Sequence, residues 1–285
     1  MQGNNTSPLA GAILIAAVLI GGAIIYKKPA PEGEATPAKA AHESAPSPAA
    51  ALLVPWGDLG QRLVSVGVID REKFLALYTG EAREEARRII EEAPESIQVT
   101  ERNAGIMLNA LWALGLAQKS TILEKGEMVN PAYGGAERFA STGGWTISAG
   151  HPMEHYSKHL FMKLSPEEER DVHTIASGVY RPCCDNGTHF PDCNHGMAML
   201  GLLELLTSKG RSEDELYGAA VTMSRLWFPD HFAITEEYAR QNRITEEKAL
   251  VSAALFSSSG FRRIAELVKN PPSREGGSGG GGCSV

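Results

Sequence analysis

The chain has 285 residues, a net charge of −7 at neutral pH, and 43% hydrophobic and 21% charged residues. This apolar share is enough for a sizeable core, whereas the acidic balance, with no basic stripe, gives no surface suited to nucleic acid. Residues 51–270 contain neither a GxGxxG nor a GxxxxGK[ST] phosphate loop, so nucleotide sites of those two kinds are not expected there.

The first predicted element is a transmembrane helix over residues 9–26, after a short tail over residues 1–8. The run carries no charged residue, and at 1.5 Å per residue it covers most of a hydrocarbon core of roughly 30 Å. A cleaved signal peptide is the alternative, disfavoured because no Lys or Arg precedes the run and the run exceeds a usual signal core. The sequence thus predicts a single-pass, membrane-anchored protein.

The composition of residues 27–50 predicts a disordered Pro/Ala-rich linker. Large apolar residues are almost absent there, so burial cannot offset the entropy of ordering the segment. Lys27 and Lys28, directly after the span, favour a cytoplasmic domain by the positive-inside bias, while a long tether suits a domain held away from either membrane face. We expect the soluble domain on the extracytoplasmic side.

Residues 51–270 predict one mainly α, multi-helix domain, because apolar residues recur with helical spacing almost throughout. Two helix starts carry capping-box patterns, at Ser165 and at Ser212. Strand-like alternation is scarce. Residues 130–150 are rich in Gly, Ser and aromatic side chains and predict an irregular insertion, a type of long loop that is often functional.

Residues 271–285 predict a flexible Gly-rich tail that includes Cys283 near its end. One interpretation is a mobile terminus with an incidental thiol. The other is a swinging thiol that carries a metal ion or a disulfide to or from the main site. An unchanged activity after Cys283→Ser would exclude the second interpretation.

A first group of metal-binding side chains follows the insertion in HPMEHYSKHLFMKL. His151 is expected near a helix N-cap, and His155 and His159 one turn apart on one helix face, a spacing that lets two imidazoles bind one ion at about 2.0–2.1 Å. His151, Glu154 and His155 also match the H-x-x-E-H pattern of inverted zinc proteases. We discount that match because Pro152 stands between the two supposed helical ligands and no further acidic ligand can be identified.

A second and more specific group lies in RPCCDNGTHFPDCNHGMAML. Cys183, Cys184, Cys193 and His195 fall in a turn-rich loop and at the start of an apolar helix, for which Asp192 is the expected N-cap. The positive end of that helix favours a thiolate at Cys193, the form that binds metals and attacks disulfides.

The central hypothesis joins both groups in one mixed Cys/His site. Thiolate and imidazole together suit zinc or copper first and iron second, and nearby methionines would suit Cu(I), although methionines are more often core residues. These methionines are Met153, Met162, Met197 and Met199. His173 and His189 are lesser candidates. Adjacent thiols tend to diverge, which argues against Cys183 and Cys184 binding the same ion.

Three functions follow from this set of ligands. The first is a membrane-anchored protein that binds a transition metal, zinc or copper, for metal handling or metal-dependent redox chemistry. The second is a thiol oxidoreductase that uses Cys193 with Cys183 or Cys184, although no C-x-x-C motif or βαβ unit is present. The third is a non-catalytic helical scaffold with one structural disulfide. Haem attachment lacks its C-x-x-C-H motif.

Overall fold

The computed structural model of the chain describes residues 51–272. The mainly α prediction is confirmed for this region, which has one pair of strands among many helices. The elements in chain order are β1 (Leu52–Val54), α1 (Leu59–Ser65), α2 (Arg71–Ala76), α3 (Gly80–Glu91), β2 (Ile97–Val99), α4 (Ala104–Ala117), α5 (Thr121–Lys125), α6 (Pro166–Gly178), α7 (Asn194–Thr207), α8 (Glu213–Trp227), α9 (Pro229–Asn242), α10 (Ala253–Phe256) and α11 (Ser258–Leu267).

The predicted transmembrane helix at residues 9–26, the linker at 27–50 and Cys283 lie outside the described residues. Within residues 51–272, no helix combines the length and the hydropathy that crossing a bilayer requires. The membrane anchor therefore stays a prediction from the sequence.

The centre of the domain is the pair α4 and α7, which pack closely along one another. Every residue of α7 is buried, as its apolar sequence on nearly all sides predicts. The contact depends on two glycines: a Cβ added to Gly115 would lie 2.1 Å from the carbonyl oxygen of Met197, and one added to Gly201 would lie 2.6 Å from that of Leu111. Side chains at either position would push the two backbones apart.

The other helices surround this pair. Helices α6 and α8 pack against α7, α8 also contacts α4, and α9 contacts α8 and α11. At the start of the domain, β1 and β2 pair antiparallel, with Leu52 opposite Val99, and α1 packs against α3. The indole of Trp56 donates a hydrogen bond to the carbonyl oxygen of Ile89, so the only polar atom of this buried side chain is satisfied.

Both predicted capping boxes are present. The Ser165 hydroxyl accepts a hydrogen bond from the backbone N–H of Glu168, whose carboxylate accepts from the N–H of Ser165. Ser212 and Glu215 repeat the arrangement at the start of α8. These boxes fix where α6 and α8 begin because each satisfies two of the N–H groups that a helix start leaves without partners.

The predicted irregular insertion is also observed. Residues 130–150 form turns and two short 3₁₀ segments, Pro131–Tyr133 and Ala136–Arg138, around the buried Trp145. The indole of Trp112 in α4 donates to the carbonyl oxygen of Ser141, whose own N–H donates to the carbonyl oxygen of Asp192. The insertion thereby connects α4 to the loop that leads into α7.

The helix predicted through His155 and His159 is wrong. The segment forms only a 3₁₀ turn, Pro152–Glu154, and Ser157 then takes a positive φ of 52°. The N–H groups of Ser157 and His159 donate to the carbonyl oxygens of Leu116 and Ala117, which the end of α4 leaves without helical partners. Hydrogen bonds between distant segments therefore override the local helical pattern.

Candidate metal centre

The second predicted group forms a compact cluster of sulfur and nitrogen atoms at the start of α7. Cys183, Cys193 and His195 offer one ligand atom each within 4.8 Å of one another, and Cys184, Asp192 and Cys193 do the same. These two are the only sets of three or more Cys, His, Asp or Glu side chains within residues 51–272 that come this close. The sequence therefore located the cluster correctly.

Cys193 is at the centre of the cluster, in the N-cap position of α7. Its sulfur accepts a hydrogen bond from the N–H of Gly196 at 3.4 Å. The prediction of Asp192 as N-cap is therefore wrong by one residue, because the thiol takes the role that a carboxylate usually fills. The positive end of the helix dipole lies directly at the sulfur and favours its anionic form.

The three sulfur atoms lie close together. The Sγ of Cys183 is 3.6 Å from that of Cys193 and 3.7 Å from that of Cys184. The adjacent thiols thus do not diverge, contrary to expectation, because a turn closed by the Cys184 N–H on the carbonyl of Arg181 brings them to the same side. All three are free cysteines, so the structural disulfide of the scaffold hypothesis is not formed in the described part of the chain.

Arg181 is a member of the cluster that the sequence reasoning missed. Arg181 is only 3% exposed. Its guanidinium donates to the Cys193 sulfur at 3.0 Å, to the Asp192 carboxylate at 2.6 Å and to the Asn186 carbonyl oxygen at 2.9 Å. These bonds hold the loop from 181 to 193 in one conformation around the cysteines. In the sequence, the sign of this role is that Arg181 stands two positions before Cys183, in RPCC.

The surroundings of the cysteines shift the pKa values of their thiols in different directions. Hydrogen bonds from Cys183 and Cys184, followed by the charge and hydrogen bond of Arg181, hold the pKa of Cys193 well below its ordinary value, although burial acts in the opposite direction. Hydrogen bonds with Cys184 and Cys193 raise the pKa of Cys183. Cys193 is therefore the first of these thiols to become a thiolate, the form that coordinates metals.

His195 provides a neutral imidazole. Burial lowers its pKa to about 4, assisted by Arg181 and opposed by Cys193. The ring is 5% exposed, its centroid is 4.4 Å from that of Phe228, and its Nδ1 is buried without a hydrogen-bond partner. A buried polar atom without a partner is uncommon in folded proteins, and a neutral imidazole is the form that binds a metal.

The first predicted group lies elsewhere in the fold. Neither of the two ligand sets contains His151, His155 or His159. The backbone N–H of His159 donates to the carbonyl oxygen of Ala117, at the end of α4. At the start of the same helix, the carbonyl oxygen of Ala104 accepts a hydrogen bond from the Trp227 indole. The Trp227 ring centroid lies 5.9 Å from that of His195. A helix of 14 residues is about 20 Å long, so the two groups contact opposite ends of α4.

The two histidines of the first group still meet each other. His155 Nδ1 lies 3.2 Å from His159 Nε2, and His155 Nε2 lies 3.1 Å from the carbonyl oxygen of Ala149. Since the carbonyl can only accept, Nε2 of His155 carries the hydrogen, and its Nδ1 accepts from His159. Burial, then the nearby His155 and Lys158, lower the pKa of His159. His155 thus has a partner at both ring nitrogens, and His159 has one at Nε2, without any ion.

The remaining candidate histidines are separate from the cluster. His151 is exposed, and its Nδ1 accepts from the N–H of Met153 as the cap of the 3₁₀ turn. The rings of His173 and His189 lie 5.6 Å apart, and neither residue belongs to a ligand set.

Comparison of the chain with protein-family models, curated proteins and solved structures finds no match.

Proposed function

We propose that this domain binds a transition-metal ion, zinc in first place, through Cys183, Cys193 and His195. One observation carries the proposal: two thiols and a buried imidazole with a nitrogen that has no partner offer ligand atoms within 4.8 Å of one another. No hydrogen-bonding role within the domain accounts for that nitrogen.

The sulfur spacing supports a tetrahedral zinc site. Two thiolates at about 2.3 Å from one tetrahedral zinc lie roughly 3.8 Å apart, close to the 3.6 Å between the Cys183 and Cys193 sulfurs here. Arg181 and the Gly196 N–H would remain as hydrogen-bond donors to the Cys193 thiolate, as is usual for groups around metal ligands. Copper is the competing ion, since soft thiolates and the neighbouring Met199 also suit Cu(I).

The exposure of Cys183 supports a role in metal handling. Cys193 and His195 are buried whereas Cys183 is exposed, so the cluster has one side from which a ligand of a donor or acceptor can approach. Together with the anchor predicted at residues 9–26 and the linker predicted at 27–50, this arrangement supports a tethered domain that receives or passes on its ion at a membrane surface. The extracytoplasmic face is part of the same proposal.

Metal analysis of the full-length protein, purified without an affinity tag, tests the proposal. We expect one zinc per chain in the wild type, and its loss in Cys193→Ser and His195→Ala. The matched controls are Cys283→Ser and His151→Ala, which change the same residue types outside the cluster and should retain the ion. Retention of metal in both cluster variants, with far-UV circular dichroism unchanged, would refute the proposed site.

The same geometry favours a second candidate function, thiol–disulfide exchange. The Cys193 thiolate would attack a substrate disulfide, releasing one substrate thiolate, and the Cys183 thiol, 3.6 Å away, would displace the other and close a Cys183–Cys193 disulfide. A dithiol reductant would then restore both thiols. The metal-free double variant Cys183→Ser, Cys184→Ser should accumulate a mixed disulfide at Cys193. Absence of that mixed disulfide, with stoichiometric zinc in the wild type, would leave metal binding as the function.

A further inference from the structure

A second feature with ligand-binding character lies away from the cysteine cluster, at the opposite end of α7. A cavity of about 310 Å³ opens between α6, the end of α7 and the start of α8. None of its lining residues belongs to the cysteine cluster. What it can bind follows from its charge, its buried polar atom and its apolar wall.

Carboxylates dominate the rim of the cavity. Glu168 and Asp171 approach from α6 and Glu213 from α8. The lining also includes the cation Arg211, but its guanidinium is engaged with the carboxylate of Glu215 at 2.8 Å. The electrostatic potential in the cavity therefore favours a positively charged ligand.

The floor of the cavity contains a polar side chain without a partner. Thr207, in the last turn of α7, lines the cavity and is 6% exposed, and its hydroxyl has no hydrogen-bond partner. Leaving a buried donor or acceptor unpaired costs free energy, so the Thr207 hydroxyl favours a hydrogen-bonding group that reaches this floor.

Part of the cavity wall is apolar. Ile175 of α6 and Leu216 of α8 line the cavity and are almost fully buried. A ligand that fits this wall carries methylene groups beside its charge. A bare metal ion does not match, because no three carboxylates within residues 51–272 bring their oxygens within 4.8 Å of one another.

We propose that this cavity binds a primary alkylammonium ligand, with its ammonium group toward Thr207 and Asp171 and its methylene chain against Ile175 and Leu216. An ammonium group donates three hydrogen bonds and accepts none, which matches a lining of carboxylates and a hydroxyl. The proposal is independent of the metal site, since it involves none of the same residues.

Calorimetric titration of the full-length protein with 1,4-diaminobutane tests this proposal, with 1,4-butanediol as the uncharged probe of the same chain length. We expect the diamine to bind and the diol to bind at least tenfold more weakly. Asp171→Asn and Thr207→Val should each lower the affinity for the diamine about tenfold, the effect of removing one good contact to a charged group. The control Glu95→Gln, at an exposed position away from the cavity, should not change it.

Equal binding of the diamine and the diol by the wild-type protein would overturn the proposal, whatever the variants do. An affinity for the diamine that is unchanged in Asp171→Asn and Thr207→Val, both with wild-type melting temperatures, would overturn it as well. Cys193→Ser should lose zinc and still bind the diamine. The metal-site proposal and the alkylammonium proposal are therefore tested independently.

Discussion

Replacing Glu204 by glutamine should remove a large pH dependence of stability. Glu204 belongs to α7 and is fully buried, and this burial raises its pKa from 4.5 to about 8. A hydrogen bond with Ser120 opposes the rise, and the charge of Glu169 adds to it. In the folded protein the carboxyl therefore keeps its proton at pH values where the unfolded chain has already lost it. Between these two pKa values the folded state binds more protons, so stability falls as the pH rises.

The magnitude follows from the shift. One pKa unit corresponds to about 1.4 kcal/mol, so a rise from 4.5 to about 8 corresponds to a loss of the order of 5 kcal/mol. The loss is absent below pH 4.5, grows between pH 4.5 and 8, and is complete above pH 8. Glu204→Gln keeps the size and hydrogen-bonding capacity of the side chain without a charge, so its advantage over the wild type should grow across the same window.

Urea-induced unfolding measured from pH 5 to pH 9 by tryptophan fluorescence tests this expectation. All four tryptophans of the chain lie between residues 56 and 227, so the signal reports on this domain. The difference between wild type and variant isolates Glu204 from other titrating groups, and Glu95→Gln at an exposed site serves as the control. If the free energies of unfolding of the wild type and Glu204→Gln differ by the same amount at every pH, Glu204 is not a buried, protonated carboxyl.

Further predictions concern the cluster and the core. Arg181→Gln should raise the pKa of Cys193, because it removes the neighbouring positive charge, and alkylation of the metal-free protein by iodoacetamide at pH 6 should slow; an unchanged rate would contradict that role. Gly115→Ala should destabilise the domain by about 1–3 kcal/mol, the usual cost of overpacking, since the new methyl would meet the Met197 carbonyl. In the same helix, Gly105→Ala meets no atom within 4 Å and should stabilise the domain by up to about 1 kcal/mol. Equal effects of the two glycine substitutions, measured by thermal unfolding, would show that the α4–α7 contact is not tight.

The local chemistry of the sequence determined the helices and their starts. Ser165 and Ser212 cap α6 and α8 as their patterns predict, because a capping box involves only residues three positions apart. The apolar run after Cys193 likewise identified α7 as a core helix. The same reasoning located the cysteine cluster, since its four predicted ligands, Cys183, Cys184, Cys193 and His195, fall within 13 consecutive residues and a segment of that length keeps them near each other.

Contacts between distant segments decided the rest. The chain from His151 to His159 has a helical pattern, yet the N–H groups of Ser157 and His159 donate to carbonyl oxygens at the end of α4, because those partners are available only in the folded domain. The same contacts hold the histidine pair apart from the cysteines. Glu204 follows the helical pattern of α7 like any polar residue, and only the packing of α4 and α6 around it shows that its charge is suppressed. Burial is a property of the assembled fold. Shifted pKa values and buried polar atoms without hydrogen-bond partners therefore cannot be derived from the sequence alone.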